Sequence, residues 1–110
     1  MERRSKYGSR KTVALGVAFD SAAEARRYQE LRLLEAASEI RDLEMQVKFS
    51  LDVNGQHVCN FFVDFRYWSN RSNRTVLEDV KSKPTITPVY RLKKKLLKAV
   101  YGFDVQEVLA

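Results

Sequence analysis

Hydrophobic and polar residues alternate along two adjacent stretches in the middle of the chain. Between Arg41 and Val53 the apolar positions recur every second residue, at Leu43, Met45, Val47, Phe49 and Leu51. This period of two is typical of a strand with one buried face. Asn54-Gly55 follows, and this dipeptide favours a type I′ turn because both central residues need positive φ. The chain is therefore predicted to return as an antiparallel strand from Gln56 to Trp68.

Alternate residues of the returning strand face opposite sides of the sheet. One set is apolar and is predicted to share one buried face: Cys59, Phe61, Val63, Phe65 and Tyr67. The other set contains Asn60, Phe62, Asp64 and Arg66. A turn-rich connection at 69–73 leads to a third predicted strand, 74–82, so the sequence predicts an antiparallel meander of three strands.

Two helices are predicted on either side of this meander. Ser21 and Glu24 have the spacing of a capping box, and the residues that follow, to about Ala37, include neither Gly nor Pro. Thr87 and Pro88 are typical of the start of a second helix, which is predicted to end near Gly102. Its apolar stripe is predicted at Val89, Leu92, Leu96 and Val100, and a basic stripe at Arg91, Lys94, Lys95 and Lys98.

The order of elements predicts an α/β fold. The β-prone segment 12–19, with Gly16 at its centre, favours a small hairpin before the first helix, and 103–109 favours a last strand after the second. The result is a mixed sheet with an antiparallel three-strand meander flanked by two helices. Residues 1–11 are predicted to form a flexible basic arm, and 12–110 a single domain.

The composition narrows the classes of partner and cofactor. The 110 residues carry a formal charge of +6, which favours a polyanionic partner, although a soluble protein that is merely basic would have the same balance. The lone cysteine, Cys59, has no second cysteine for a disulfide or a thiolate zinc site, so any metal must be held by oxygen ligands. No apolar run approaches the roughly 18 residues that span a bilayer. We therefore expect a cytoplasmic protein without membrane association.

Two acidic residues are predicted to face each other across neighbouring strands. If the second and third strands pair across 69–73, opposite residues have numbers that sum to about 143, and Asp64 faces Asp79. Carboxylates so close repel each other unless a cation neutralises them. Mg²⁺ suits such a site because it takes oxygen ligands and keeps several waters, and Mn²⁺ is expected to substitute. Lys81 is predicted on the same face, where its ammonium would stabilise negative charge on a phosphate.

Two alternatives stay open at this point. Glu78 should point to the opposite face, but a bulge of one residue would exchange it with Asp79 as the metal ligand. Asp64, Asp79 and Lys81 could also form an ordinary surface ion-pair cluster that implies no reaction, because acid-x-Lys is a common tripeptide.

A wider resemblance favours a nuclease. The order helix, strand, Asp-bearing strand and a hydrophobic strand ending in acid-x-Lys resembles the core of the PD-(D/E)xK nuclease superfamily, the restriction-endonuclease-like fold. Here the motif reads VDF at 63–65 and EDVKS at 78–82. The segments FDSAAEARRYQELRLLEAASEIRDLEMQVKFSL, FFVDFRYW, LEDVKS and YRLKKKLLKAVYG look like a family of small phage and prophage proteins linked to this fold and to junction-resolving endonucleases. The resemblance covers residues 6–108.

The resemblance implies a metal-dependent DNA endonuclease with further site residues. Glu24 matches the glutamate on the first helix that often completes the metal site, although a capping box also accounts for it. Gln46 matches a glutamine that related nucleases often carry on the strand before the aspartate. Three positions depart from the superfamily pattern: Val63 replaces the eponymous Pro, Asp79 the commoner Glu, and Ser82 a frequent Gly. None of them removes a ligand or the lysine.

Basic residues outside this centre are predicted to contact DNA phosphates. They are the stripe Arg91, Lys94, Lys95 and Lys98, which could equally be a solvated helix face, Arg71 and Arg74 at the hairpin tip, and Arg10 and Lys11 on the arm. A branched or junction substrate is expected, and a homodimer would follow because resolving a junction needs two symmetry-related cuts. The competing hypotheses are a non-catalytic nucleic-acid-binding module and a basic amphipathic helix that docks on anionic membranes or an acidic protein.

Overall fold

A four-stranded mixed sheet forms the centre of the protein. The computed structural model describes residues 12–110. Along the chain the elements are β1 (Thr12–Ala14), β2 (Val17–Phe19), α1 (Ala22–Ala36), β3 (Ile40–Val53), β4 (Gln56–Ser69), β5 (Arg74–Lys81), α2 (Pro88–Tyr101) and β6 (Val105–Leu109). The sheet order is β3-β4-β5-β6, with β3, β4 and β5 antiparallel and β6 parallel to β5. This confirms the predicted α/β class, the meander and the two helices. Residues 1–11, for which a flexible arm was predicted, lie outside the described part.

The helix α1 begins where the sequence predicts, one residue after its cap. The Ser21 hydroxyl accepts a hydrogen bond from the Glu24 amide at 3.1 Å, which satisfies one of the free amides of the first turn. Within residues 12–110 the Glu24 carboxylate makes no reciprocal bond, so only half of the capping box forms. The hairpin of β1 and β2 packs on this helix through Ala14 and Phe19.

The hairpin of β3 and β4 has the predicted turn. Asn54 has φ 51° and Gly55 φ 76°, the positive values that a type I′ turn requires. From this turn the ladder pairs Phe49 with Phe61 and Met45 with Phe65, so the apolar positions of both strands lie opposite each other. Cross-strand contact between such pairs stabilises the hairpin.

The apolar residues of β4 divide between two cores, which corrects the prediction of a single shared face. Phe65 and Tyr67 pack with Tyr28 and Leu31 of α1. Phe61 and Val63, with Cys59 at their side, pack instead with Leu97 and other residues of α2. The change occurs at Asp64, next to Gln46, whose φ of 50° interrupts the regular pleat of β3. The candidate site therefore lies at the boundary between the two cores.

The orientation of α2 also differs from the prediction. Thr87 caps the helix and Gly102 ends it with φ 77°, both as predicted. The buried residues, however, are Tyr90 and Leu97, whereas Val89, Leu92 and Val100 of the predicted stripe are exposed and Leu96 is half-buried. The reason is that the face packed in the core is centred on Tyr90 and Leu97, which the predicted stripe left out. In this orientation Lys94 and Lys98 reach acidic groups beside β6. No helix in the described residues is long and apolar enough to cross a membrane.

Candidate active site

Asp64 and Asp79 lie side by side where the ladder between β4 and β5 ends. Phe65 and Glu78 form the last backbone pair, in the register predicted from the sequence, and the two aspartates come next. There side chains replace the ladder: the Asp64 amide donates to Asp79 Oδ1 at 2.9 Å, and the Val80 amide donates to Asp64 Oδ2 at 2.8 Å. Each carboxylate is thus fixed by a backbone amide of the opposite strand.

Burial makes this pair of carboxylates hard to ionise. Asp79 is 2% exposed, and burial together with the charge of Asp64 raises its pKa to about 6, although the Asp64 amide acts in the opposite direction. Burial also raises the pKa of Asp64, against the hydrogen bonds from Val80 and Gln46. Within residues 12–110, Asp79 Oδ2 has no hydrogen-bond partner. A buried carboxylate oxygen in this state is stabilised by a proton or a cation.

Lys81 and Glu24 complete the cluster around the two aspartates. The positive charge of Lys81 lowers the pKa values of Asp64, Asp79 and Glu24, so its ammonium is close enough to interact with all three carboxyls. Burial, and then the charge of Asp64, raises the pKa of Glu24 to about 7. The four residues proposed for the centre from the sequence are therefore neighbours. They do not form a closed ligand shell, since no group of three potential metal ligands is assembled within residues 12–110.

Glu78 lies on the other face of β5 and is fully engaged there. Its carboxylate, 1% exposed, accepts two hydrogen bonds from the Arg27 guanidinium, at 2.7 and 2.8 Å, and a third from the Tyr67 hydroxyl. Both of its oxygens are occupied, so it has no capacity left for a metal. This arrangement favours Asp79 over Glu78 as the ligand.

Gln46 contacts the site from the neighbouring strand. Its Nε2 donates to Asp64 Oδ1 at 3.2 Å, and the ladder between β3 and β4 omits the pair of Gln46 and Asp64. Asp64 is thereby held from both sides, by Gln46 on β3 and by Val80 on β5. Gln46 acts on the aspartate rather than on a metal in this geometry.

Comparison with known proteins identifies a family but no activity. Residues 4–108 match the family model described as a protein of unknown function, DUF1064. The chain belongs to this family. Neither the curated proteins nor the solved structures give a match. The function of this DUF1064 chain is therefore inferred from the geometry of its site.

Tyr90, which the sequence reasoning did not select, adjoins the cluster. Its ring lies under Lys81, with Nζ 4.3 Å from the ring centroid, a distance at which a cation and an aromatic face attract. Its hydroxyl is buried and lies close enough to Asp79 to lower the pKa of that carboxyl. Its position three residues after the cap Thr87 could have indicated an inward-facing tyrosine. The prediction used only the aliphatic residues of α2 and therefore selected the adjacent face of the helix.

Arg27 is the second residue that sequence reasoning missed. A buried acid such as Glu78 needs a counter-charge, and a basic residue on the inner side of α1 is the natural source. Glu78 was treated only as an alternative metal ligand, so no basic partner was predicted for this residue. Arg27 binds both carboxylate oxygens of Glu78 on the α1 side of β5 and so holds Glu78 away from the cluster.

The basic residues proposed for DNA contact are only partly available. Arg71 and Arg74 are exposed at the β4–β5 connection, and Arg91 and Lys95 are exposed on α2. Lys94 is bonded to Glu107 at 3.0 Å and Lys98 to Asp104 at 2.7 Å, in a cleft between α2 and β6. Half of the predicted basic stripe is therefore neutralised. Arg10 and Lys11 lie outside the described residues.

A Ser-His-Asp cluster at the tip of the β3–β4 hairpin does not form a nucleophilic triad. His57 Nδ1 lies 2.9 Å from Ser50 Oγ and 2.8 Å from Asp52 Oδ1, so one ring nitrogen faces both partners. A triad needs the two different ring nitrogens of the histidine. The cluster is a hydrogen-bonded group at the hairpin tip.

Proposed function

We propose that the chain is a metal-dependent DNA endonuclease that hydrolyses phosphodiester bonds. The observation that carries the proposal is the pair of buried aspartates, Asp64 and Asp79, with Lys81 beside them and with Asp79 Oδ2 unpaired among residues 12–110. Structural ion pairs in proteins usually satisfy both carboxylate oxygens, as Arg27 and Tyr67 do for Glu78. A cluster of acids with raised pKa values beside one lysine is instead typical of a functional site.

The topology supports the same class. The observed order of helix, three antiparallel strands, helix and a fourth strand parallel to the third agrees with the restriction-endonuclease-like core that the resemblance implies. The two aspartates lie on the two strands where that superfamily carries its acids, and Lys81 follows Asp79 at the acid-x-Lys spacing. We therefore infer a restriction-endonuclease-like fold.

The donor set fits a hard divalent cation. Asp64 and Asp79 would hold Mg²⁺, or Mn²⁺ in its place, with Glu24 as the third ligand that the resemblance implies. When bound, the cation would lower the pKa of a coordinated water and polarise a phosphoryl oxygen. All the groups are oxygen donors, as a chain with one half-buried cysteine requires.

The protein's own residues would orient the phosphate and stabilise its charge. Lys81 is placed to neutralise the charge that develops on phosphorus oxygens as water adds in line with the leaving oxygen. The Tyr90 ring restricts the position of the ammonium, and Gln46 restricts that of Asp64. Such preorganisation spares the enzyme from ordering these groups during the reaction.

A structure-selective substrate is the second part of the proposal. The exposed arginines Arg71, Arg74 and Arg91, with Lys95, would contact phosphates, which carry no sequence information. We propose branched or junction DNA as substrate and a homodimer as the form that makes paired cuts. The same cations would serve a non-catalytic nucleic-acid-binding module, which is the second candidate function.

A cleavage assay separates the two candidates. Supercoiled plasmid and a synthetic four-way junction are incubated with the protein in Mg²⁺, Mn²⁺ or EDTA, using wild type, Asp79→Ala and Lys81→Ala. Asp42→Asn is a matched control because Asp42 is exposed, lies outside the cluster and has a φ of 57° that asparagine tolerates. We expect metal-dependent cutting that both site variants lose and the control keeps. If wild type binds DNA but does not cut it in the presence of either metal, the non-catalytic binding module is the function.

A further inference from the structure

Lys81 contacts an aromatic ring although it lies near several acids. Its ammonium is close enough to interact with Asp64, Asp79 and Glu24, yet within residues 12–110 it forms no ion pair and no side-chain hydrogen bond. Nζ lies instead over the ring of Tyr90, 4.3 Å from the centroid. A lysine beside carboxylates is expected to pair with one of them. An aromatic face therefore occupies the position that an acid would ordinarily take.

The alternation of side chains along β5 puts Asp79 and Lys81 on one side of the strand. Glu78 and Val80 contact the α1 side, through Arg27 and the core beneath that helix. Leu77 and Lys81 contact the α2 side. Asp79 alternates with the first pair, so it shares the α2 side with Lys81, about 7 Å away along the strand. The flexible lysine side chain spans such a distance.

The ring of Tyr90 is fixed, whereas the end of the Lys81 side chain is not. Tyr90 is 7% exposed, its amide donates to the cap Thr87 at 3.1 Å, and its ring centroid lies 5.9 Å from that of Phe61. The backbone of Lys81 is held by the ladder with β6, where its partner is Leu109. The position of the ammonium therefore depends on the balance between the ring and the nearby carboxylates.

The two positions open to this ammonium have different consequences. Asp79 Oδ2 is buried and has no hydrogen-bond partner within residues 12–110, so it would attract a released ammonium strongly. An ammonium paired there would occupy the oxygen that the proposed cation needs. On the ring the ammonium keeps its hydrogen-bond donors, because an aromatic face attracts the charge without accepting every N–H.

We infer that the Tyr90 ring holds the Lys81 ammonium away from Asp79, which leaves Asp79 Oδ2 unpaired for the cation and the ammonium unpaired for the phosphate. The inference rests on the proposed metal-dependent function and adds a positioning residue to its site. Tyr90 acts through Lys81 and does not itself contact the substrate. The first turn of α2 is thereby coupled to the aspartates of the sheet.

Nuclear magnetic resonance tests the contact without metal or DNA. An aromatic face shifts nearby protons upfield, so the ε-methylene protons of Lys81 should be shifted in wild type and in Tyr90→Phe, which keeps the ring. Tyr90→Leu should abolish the shift. The Lys81 resonances are assigned by their loss in Lys81→Gln. Unshifted ε-methylene protons in wild type would overturn the inference.

A double-mutant cycle tests the consequence for metal binding. Mn²⁺ affinity is measured by calorimetry for wild type, Tyr90→Leu, Lys81→Gln and the double variant. Tyr90→Leu should weaken Mn²⁺ binding about tenfold, because the released ammonium competes for Asp79. In the Lys81→Gln background the same substitution should change the affinity by less than about twofold, because no ammonium remains to compete. An equal loss in both backgrounds would mean that Tyr90 only fills the core, and would overturn the inference.

Phe49→Leu is the control for lost packing. Phe49 is a buried aromatic of the same core, and its described ring partners are Tyr101 and Phe103. The variant should leave both the Lys81 shift and the Mn²⁺ affinity unchanged. Circular dichroism checks folding, and Tyr90→Met, also without a ring, replaces Tyr90→Leu if the latter is unfolded. A wild type with the ring shift that binds no Mn²⁺ would overturn the proposed function, while the hold of Tyr90 on Lys81 would stand.

Discussion

Glu78 and Asp79 are consecutive acids on β5, and both are almost completely buried, yet their surroundings are opposite. Glu78 faces α1, where Arg27 and Tyr67 bind both of its oxygens. Asp79 faces α2, where one oxygen accepts the Asp64 amide and the other has no partner among residues 12–110. The first acid is neutralised by the protein itself, whereas the second is surrounded by other acids and a single lysine.

The difference shows that burial alone does not identify a functional acid. A buried charge is tolerated when hydrogen bonds and a counter-charge replace its hydration, as at Glu78. At Asp79 hydrogen bonds and counter-charge replace the lost hydration only in part, and the pKa of Asp79 is raised as a result. A proton would supply the missing positive charge at low pH, and the divalent cation that we propose would supply it at neutral pH.

The largest effect should come from Asp79→Asn. Asparagine keeps the shape and can still accept the Asp64 amide, but it loses the charge that would bind metal. We expect cleavage to fall about 1000-fold, which corresponds to about 4 kcal/mol of lost transition-state stabilisation. Stability at pH 7.5, measured by urea unfolding, should stay equal or rise. Cleavage within tenfold of wild type would show that Asp79 does not bind the cation.

Glu78→Ala should act on stability instead. Removing Glu78 leaves the Arg27 guanidinium, whose side chain is 22% exposed, without its partner. We expect the free energy of unfolding to fall by about 3 kcal/mol, the lower end of the range for breaking a buried pair because Arg27 keeps some hydration. The double variant Arg27→Leu/Glu78→Ala should recover part of the loss. If Glu78→Ala is as stable as wild type but loses metal-dependent cleavage, the roles of the two acids are exchanged.

Much of this comparison could be predicted from the sequence. The alternation in β4, the Asn54-Gly55 turn and the length of the connection together set the register that brings Asp64 beside Asp79, and the same alternation separates Glu78 from them. Local rules suffice there because a strand has only two faces. The same rules did not predict features that depend on tertiary packing, where several arrangements are compatible with the local sequence. The rotation of α2 depends on Tyr90 and Leu97 packing into the core, and the partner of Glu78 is 51 residues away in the sequence.

The pH dependence of stability should distinguish the two acids without any substrate. A folded-state pKa of about 6 for Asp79, against 3.8 when unfolded, means that the folded protein holds more protons between these values. Stability due to this group is therefore highest below about pH 4 and decreases as the pH rises to about 6. The stability of Asp79→Asn relative to wild type should rise by about 2 kcal/mol from pH 4.5 to 7.5. Comparing the two proteins in EDTA by urea unfolding cancels the other titrating groups.

Added metal provides the control for that experiment. Mg²⁺ or Mn²⁺ should stabilise wild type at pH 7.5 more than Asp79→Asn, because a ligand that binds only the folded state raises the free energy of unfolding. Equal stabilisation of both proteins would place the cation elsewhere. A stability difference that does not change with pH would show that Asp79 is not the carboxyl with the raised pKa.

The smallest effect concerns charges that are neutralised at the surface. Lys94 and Lys98 are paired with Glu107 and Asp104, so they resemble Glu78 in having partners, but they remain accessible to solvent. Exposed pairs contribute little to stability, so the double variant Asp104→Asn/Glu107→Gln should fold normally. It should bind DNA several-fold more tightly and show a steeper dependence of affinity on salt, by up to about two phosphate contacts. Titrations at several salt concentrations measure this slope. An unchanged slope would mean that the cleft between α2 and β6 does not face the DNA. A steeper slope with unchanged cleavage at saturating protein would show that the cleft binds the DNA backbone without taking part in the chemistry.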